Sequence, residues 1–278
     1  MKRSCRSPLL SATFAASACL LFAFVLSVPA DSGPRAGSGD GRVRGNFSLD
    51  LDVEVSLGGF KQKMKSSLTA GFRKSVKPLG RVASGGKRFA LRYESAYEQL
   101  EFNKIVKRKN KSFTGRKITL LELKDGSLEL ETPWGNSREE RFVHRMASGL
   151  WRVNRVLRAL PLRRLRPGRD LTSRFGRMPW LDFKYKMKRF RHRVVFRKRE
   201  TRNGRRVAVF ATRLFGKDEV KRGLSMEVDA RGELVADLKT KRILSYRLRG
   251  PAVSRWKRKN VMTYTGRGVI TYDIIANY

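Results

Sequence analysis

The sequence predicts a mainly β protein: an antiparallel meander, formed as a curved sheet, half-barrel or sandwich, with one amphipathic helix packed on it. Three observations predict this. Apolar and polar residues alternate over long stretches on both sides of the chain's middle. Turn signals such as Asn203-Gly204 separate those stretches. Once only, between residues 138 and 160, the apolar spacing changes to three and four.

The elements follow in chain order. Lys2, Arg3 and Arg6 precede an almost wholly apolar or small run from Pro8 to Ala30. Val28 and Ala30 suit the −3 and −1 subsites of a signal peptidase, so residues 1–30 are expected to be a secretory signal cleaved near Ala30. A retained membrane anchor is the alternative, since the run is just long enough to span a bilayer. A lipobox at Cys19 fits less well, because the most apolar residues follow it. Residues 31–45, rich in Gly, Ser, Asp and Arg, read as a flexible leader. Residues 46–278 are expected to form a single β-rich domain.

Phe47, Leu49, Leu51, Val53, Val55 and Leu57 alternate with polar residues and predict a half-buried strand. Gly58-Gly59 breaks it, and residues 60–72 form its hairpin partner. Residues 75–87 read as a Pro/Gly loop. A strand follows from Phe89 to Phe102, then shorter ones over 118–123 and 128–134, split by a turn at Asp125-Gly126. In the helix, Phe142, Met146, Leu150, Val153, Leu157 and Leu160 share one face, with arginines between them. Pro161 stops it, and Pro167-Gly168 marks the next turn.

Strands return at Phe183, Tyr185 and Met187, then at Val194 and Phe196. Asn203-Gly204 turns the chain into a partner strand with Val207, Val209 and Ala211. A hairpin is expected over Leu224–Leu238 with its turn at Ala230-Arg231-Gly232. Strands at 244–248 and 261–274 complete nine to twelve in all.

The chain carries 63 Lys and Arg against 24 Asp and Glu, a net charge of +39, and Arg outnumbers Lys 40 to 23. Outside a cell, such a charge points to anionic glycans, envelope polymers, extracellular nucleic acid or an anionic lipid surface. Arginine suits bidentate recognition of phosphate, sulfate and carboxylate, although a GC-rich genome gives the same excess. Both cysteines, Cys5 and Cys19, fall in the signal, so no disulfide is expected beyond it.

Residues 138–206 hold 24 Lys and Arg and five acids. Within and beside this stretch the candidate polyanion-binding residues are Lys184, Lys186, Lys188, Arg189, Arg191, Arg193, Arg197 and Arg205. Alternation with apolar residues would set cations about 7 Å apart on one strand face. A solvated basic face is the competing reading. Arg247, Arg249, Arg255, Lys257, Arg258 and Lys259 form a second cluster, read as a loop. If the protein instead carries an acyl lipid, Phe183, Tyr185, Val207 and Val209 would line its cavity.

Asp50, Asp52 and Glu54 share a strand face, where pairing with a basic neighbour strand is favoured over a cation site. His144 and His192 are the only histidines, so zinc or triad chemistry finds little support, and no cofactor is implied. Glu139-Glu140 reads as a helix N-terminal charge pair. Trp134, Trp151, Trp180 and Trp256 suit packing at element ends, or stacking on sugars. Asn46-Phe47-Ser48 and Asn110-Lys111-Ser112 are glycosylation sequons if the source is eukaryotic.

The layout resembles the periplasmic lipoprotein-carrier proteins, in which a curved antiparallel half-barrel lidded by helices holds acyl chains. The C-terminal half is similar to uncharacterised secreted bacterial β-sheet proteins, on Leu160-Pro161 and Pro167-Gly168 ahead of paired strands with Gly204 and Gly232 at their turns. The resemblance implies a lipid or lipoprotein carrier. The charge implies a non-catalytic binder of anionic polymers. An enzyme acting on an anionic glycan is a third reading, and a nucleic-acid protein with a misread N-terminus is a fourth.

Overall fold

A computed structural model describes residues 41–278, apart from 58, 84, 104, 125–126, 132–136, 177–188, 222, 259–261 and 278. The signal, most of the leader, the Asp125-Gly126 turn and the strand expected at residues 183–187 lie outside the described residues. So do Lys184, Lys186, Lys188, Phe183 and Tyr185 of the candidate sites, and Trp134 and Trp180.

The described residues form one open antiparallel sheet of eleven strands: β1 (Gly41–Leu57), β2 (Phe60–Arg81), β3 (Lys87–Phe102), β4 (Ile105–Asn110), β5 (Lys117–Glu122), β6 (Leu128–Leu130), β7 (Arg191–Arg202), β8 (Arg205–Lys221), β9 (Leu224–Asp237), β10 (Ile243–Arg258) and β11 (Met262–Asn277). The order is β6-β5-β3-β2-β1-β11-β10-β9-β8-β7, with β4 beside the far half of β3. β1 therefore pairs with β11, joining two meanders into one sheet, and the strands neither close into a barrel nor divide into two sheets.

The helices are α1 (Ser137–Ala159) and α2 (Thr172–Phe175). They lie between β6 and β7 in sequence, so the connection passes from one edge of the sheet to the other. The two ends of the strand order are protected. β6 has only three residues, and residues 168–171 cover β7 through bonds such as Leu171 N–H to Val194 O, 2.8 Å.

One face of the sheet is apolar and continuous with the buried side of α1. Trp151 packs on Phe89 of β3, ring centres 5.3 Å apart, and Phe175 of α2 packs on Phe210 of β8. The Asn154 side chain accepts the Ile243 N–H at 2.8 Å. Lys241 donates to the carbonyls of Arg158, in the last turn of α1, and of Leu160, just past it, and so ties the helix end to the β9–β10 turn. Arg152, Arg155 and Arg158 stay exposed, as the helical spacing predicts.

Several boundaries differ from the sequence reading. β1 begins at Gly41, inside the predicted leader. β2 runs to Arg81 through the predicted loop; its register shifts between Pro78 and Gly80, where β1 no longer flanks it and the missing Pro78 N–H breaks no second ladder. β4 shows no alternation, because all six of its residues are exposed. β9 runs unbroken through Gly232. A Cβ there would lie 1.8 Å from the Arg247 carbonyl oxygen, so this glycine serves close strand approach, not a turn. The turn comes at 238–242, where Asp237 Oδ1 accepts the N–H groups of Lys239 and Thr240. The second basic cluster is strand as far as Arg258, not loop, and Lys259 lies outside the described residues.

Candidate anion-binding site

The Asn203-Gly204 turn takes positive φ at both residues, 48° and 73°, and closes the β7–β8 hairpin with Arg202 opposite Arg205. The pairing then slips by one residue between Phe196 and Lys198, leaving Arg197 on a bulge. Val194 and Phe196 face the helices with Phe210, while Arg193 and Val195 face the other way.

The slip sets Arg193 opposite Arg213. Arg213 in turn stands opposite Arg231, and Arg231 opposite Arg249. Four arginines thus cross β7, β8, β9 and β10 in one row, on the face away from the helices. Adjacent strands lie about 4.8 Å apart, and like charges directly opposite destabilise a sheet. The adjoining row behaves differently: Glu233, Arg247 and Asp273 alternate in sign, with Arg247 bonded to Asp273 at 3.0 Å.

Carboxylates relieve part of the arginine row. Arg213 forks onto Asp229, Nε to Oδ1 at 2.7 Å and Nη2 to Oδ2 at 2.8 Å, and Arg231 reaches the same carboxylate at 3.7 Å. The hydrogen bond from Arg213 holds the Asp229 carboxyl below the ordinary carboxylate range. Arg193 bonds Asp170 at 3.2 Å. Among the described residues, Arg249 and Arg197 have no ion-pair partner. Arg193, Arg197, Arg213 and Arg231, with Glu233, wall a groove of about 620 Å³ floored by Val195, Ala211 and Gly232.

Of the predicted polyanion residues, the groove gathers Arg193 and Arg197. Arg191 lies exposed on β7, and the Arg189 main-chain N–H donates to Asp218 at 3.0 Å. Arg205 sits at the hairpin end, outside the groove. Arg213 and Arg231 were not singled out from the sequence. A count outward from Asn203-Gly204 would have come within one residue of pairing Arg193 with Arg213.

Other basic residues have structural partners. Arg199 donates to the carbonyls of Leu162, Arg163 and Leu165 and fixes the segment after α1. Arg202 forks onto Glu233 and also bonds Glu200, and Arg255 bonds Glu227. Exposed pairs of this kind contribute about 0–1 kcal/mol each.

The cavity candidates Val207 and Val209 do not lie under the helix. They form a small cluster with Val235 and Leu244, separate from the main core, while Ala208 and Phe210 between and beside them face the helices. The one-residue bulge is the reason: it puts Val194 and Phe196 in phase with Phe210 rather than with Val209.

Asp52 stands between Lys65 and Arg267, and Glu54 opposite Lys63. Asp50 accepts from the hydroxyls of Ser67 and Ser48. No group of three metal-ligating side chains forms among the described residues. His144 Nε2 meets the Leu128 carbonyl at 2.6 Å. His192 is buried and bonds the Tyr246 hydroxyl at 3.0 Å; burial lowers its pKa to about 3. Among the described residues no helix is long and apolar enough to cross a membrane.

No protein-family model and no curated protein matches the sequence. Among solved structures, the chain is similar to a DUF1329 family protein from Desulfovibrio piger, at 9% identity and a TM-score of 0.17, covering 87% of this chain and 85% of that one. It is similar to a domain assigned to outer membrane lipoprotein sorting in Vibrio parahaemolyticus, at 11% identity and a TM-score of 0.15, covering 86% and 84%. It is also similar to DynF from the dynemicin biosynthesis pathway of Micromonospora chersina, at 10% identity and a TM-score of 0.17, covering 90% and 95%.

Proposed function

We propose that this is an extracytoplasmic binding protein that holds an anionic polymer across β7–β10. The observation that carries the reading is the row Arg193, Arg213, Arg231 and Arg249. A sheet that places like charges opposite one another gives up stability, and a ligand bearing regularly spaced phosphate, sulfate or carboxylate groups restores it. Arg197 adds a fifth cation from the bulge, and the apolar groove floor accepts the ligand's carbon skeleton. Arg191, exposed on β7, and Arg205, at the hairpin end, add further positive charge beside the row. Export rests on residues 1–30.

The expected behaviour of Arg249→Ala separates binding from folding. Affinity for long-chain polyphosphate falls about fivefold, as about 1 kcal/mol of charge-assisted contact is lost. Stability to urea stays level or rises by a few tenths of a kcal/mol, because a like-charge contact disappears. Titration of fluorescent polyphosphate and urea unfolding of the same variant check both halves. Unchanged affinity, or equal losses of affinity and stability, would assign Arg249 a structural role and count against the reading.

A further inference from the structure

The hairpin tips at one end of the sheet define a second surface. Register places the paired ends of β1–β2, β8–β9 and β10–β11 side by side: Leu57 pairs with both Phe60 and Met262, and Trp256 with both Leu224 and Tyr264. The Lys257 N–H donates to the Gly223 carbonyl at 3.0 Å, joining two of the tips. Phe60 stands at the first tip with 77% of its surface exposed, whereas the other phenylalanines on the described strands are buried or half-buried. Gly59, at φ 91°, turns the chain so that Phe60 has a backbone route to the tip. Lys61, Lys63 and Lys257 are exposed around it, and β8 and β10 end at Lys221 and Arg258. Of the acids nearest the tips, Glu219 accepts the Gly223 N–H at 2.8 Å, and Glu54 stands opposite Lys63 in the register.

We propose that this end docks on an anionic lipid bilayer, with Phe60 entering the headgroup region and the surrounding cations meeting lipid phosphates. An aromatic residue supplies apolar insertion, and each nearby cation adds about 1 kcal/mol at an anionic surface. The combination fits a bilayer better than a soluble polyanion, which would gain nothing from an exposed phenylalanine at a tip. The surface is separate from the arginine row, and the two stand or fall independently.

The test is co-sedimentation with vesicles of phosphatidylcholine alone, and of phosphatidylcholine with phosphatidylglycerol. Binding is expected only to the anionic vesicles. Phe60→Ser should weaken it about tenfold, and Lys257→Ala about fivefold. Ile105→Ser is the control. Ile105 is also exposed, at 46%, but the register sets it about 20 Å back from the tip, six residues at about 3.3 Å each. It should bind like the unmodified protein. Equal binding to both vesicle types, no effect of Phe60→Ser, or an equal effect of Ile105→Ser would overturn the proposal. Polyphosphate affinity measured on the same samples scores the arginine row separately.

Discussion

Gly268→Ala is expected to destabilise the protein by about 3 kcal/mol or more, at the upper end of what overpacking usually costs. A Cβ at this position would lie 1.8 Å from the Asp50 carbonyl oxygen on β1. That neighbour is backbone in the middle of a ladder and cannot rotate away. Gly232 and Gly250 are in the same situation, 1.8 Å from the Arg247 carbonyl oxygen and 2.1 Å from that of Asp229. Together with Gly268 they trace a diagonal over β9, β10 and β11, where neighbouring backbones come too close for any side chain. Gly266, two residues before Gly268 on the same strand, offers the contrast. Its Cβ would meet only side-chain atoms, Leu51 Cδ1 and the Tyr264 hydroxyl, both at 3.1 Å. Gly266→Ala should cost about 1 kcal/mol or less, by a small shift of those groups. Urea midpoints of the two variants decide the matter. Similar losses would mean that the backbone approach does not govern this part of the sheet.

The second large effect is acid destabilisation centred on His192. Burial holds its imidazole neutral down to about pH 3, against an ordinary value near 6.5. The unfolded chain takes up this proton as pH falls below 6.5, and the folded protein does not until about 3. Stability is therefore full above pH 6.5 and falls steadily across that window. Between pH 7 and pH 5 the loss is about 2 kcal/mol. Asp229 and Glu233, whose pKa values are lowered by Arg213 and Arg202, give their stabilisation above the ordinary carboxylate range and lose it as pH falls through their lowered values. They add to acid sensitivity at a lower pH than His192 does. Unfolding of the intact protein and of His192→Gln at pH 7 and pH 5 separates these contributions. The variant starts less stable at pH 7, since the bond to Tyr246 is altered, but its stability should change little between the two pH values. A slope as steep as that of the intact protein would show that His192 is not the titrating group.

Much of the fold was legible because burial on one face writes itself into the chain at period two. β1 shows this best: every residue buried on the helix-facing side of 47–55 is apolar, and every partner between them is polar. α1 was equally clear, from its shift to helical spacing. β4 was not, because a strand exposed on both faces has no apolar phase to read. The predicted turn at Gly232 failed for a different reason. Glycine signals either a turn or a close backbone approach, and only the neighbouring strand distinguishes them.

The candidate site was half legible for a reason of register. Arg193 and Arg197 stood out by local charge, but Arg213, Arg231 and Arg249 are brought beside them by pairing alone. The bulge at Arg197 shifts that pairing by one residue, and a shift of one residue changes which side chains share a face. The same shift moved Val207 and Val209 from the expected lipid cavity to the opposite face. Charge also overstated the free cation. Arg199, Arg202 and Arg255 are bound to carbonyls or carboxylates, so the distinctive feature is where the arginines line up, more than how many there are.

The most direct measurement is the affinity for polyphosphate as a function of salt, for the protein and for its Arg193→Ala/Arg249→Ala variant. Binding through the arginine row predicts a steep linear fall of log affinity with log salt, and a slope about two smaller in magnitude for the variant, one for each cation removed. Salt-independent binding, or the same slope in both proteins, would contradict it.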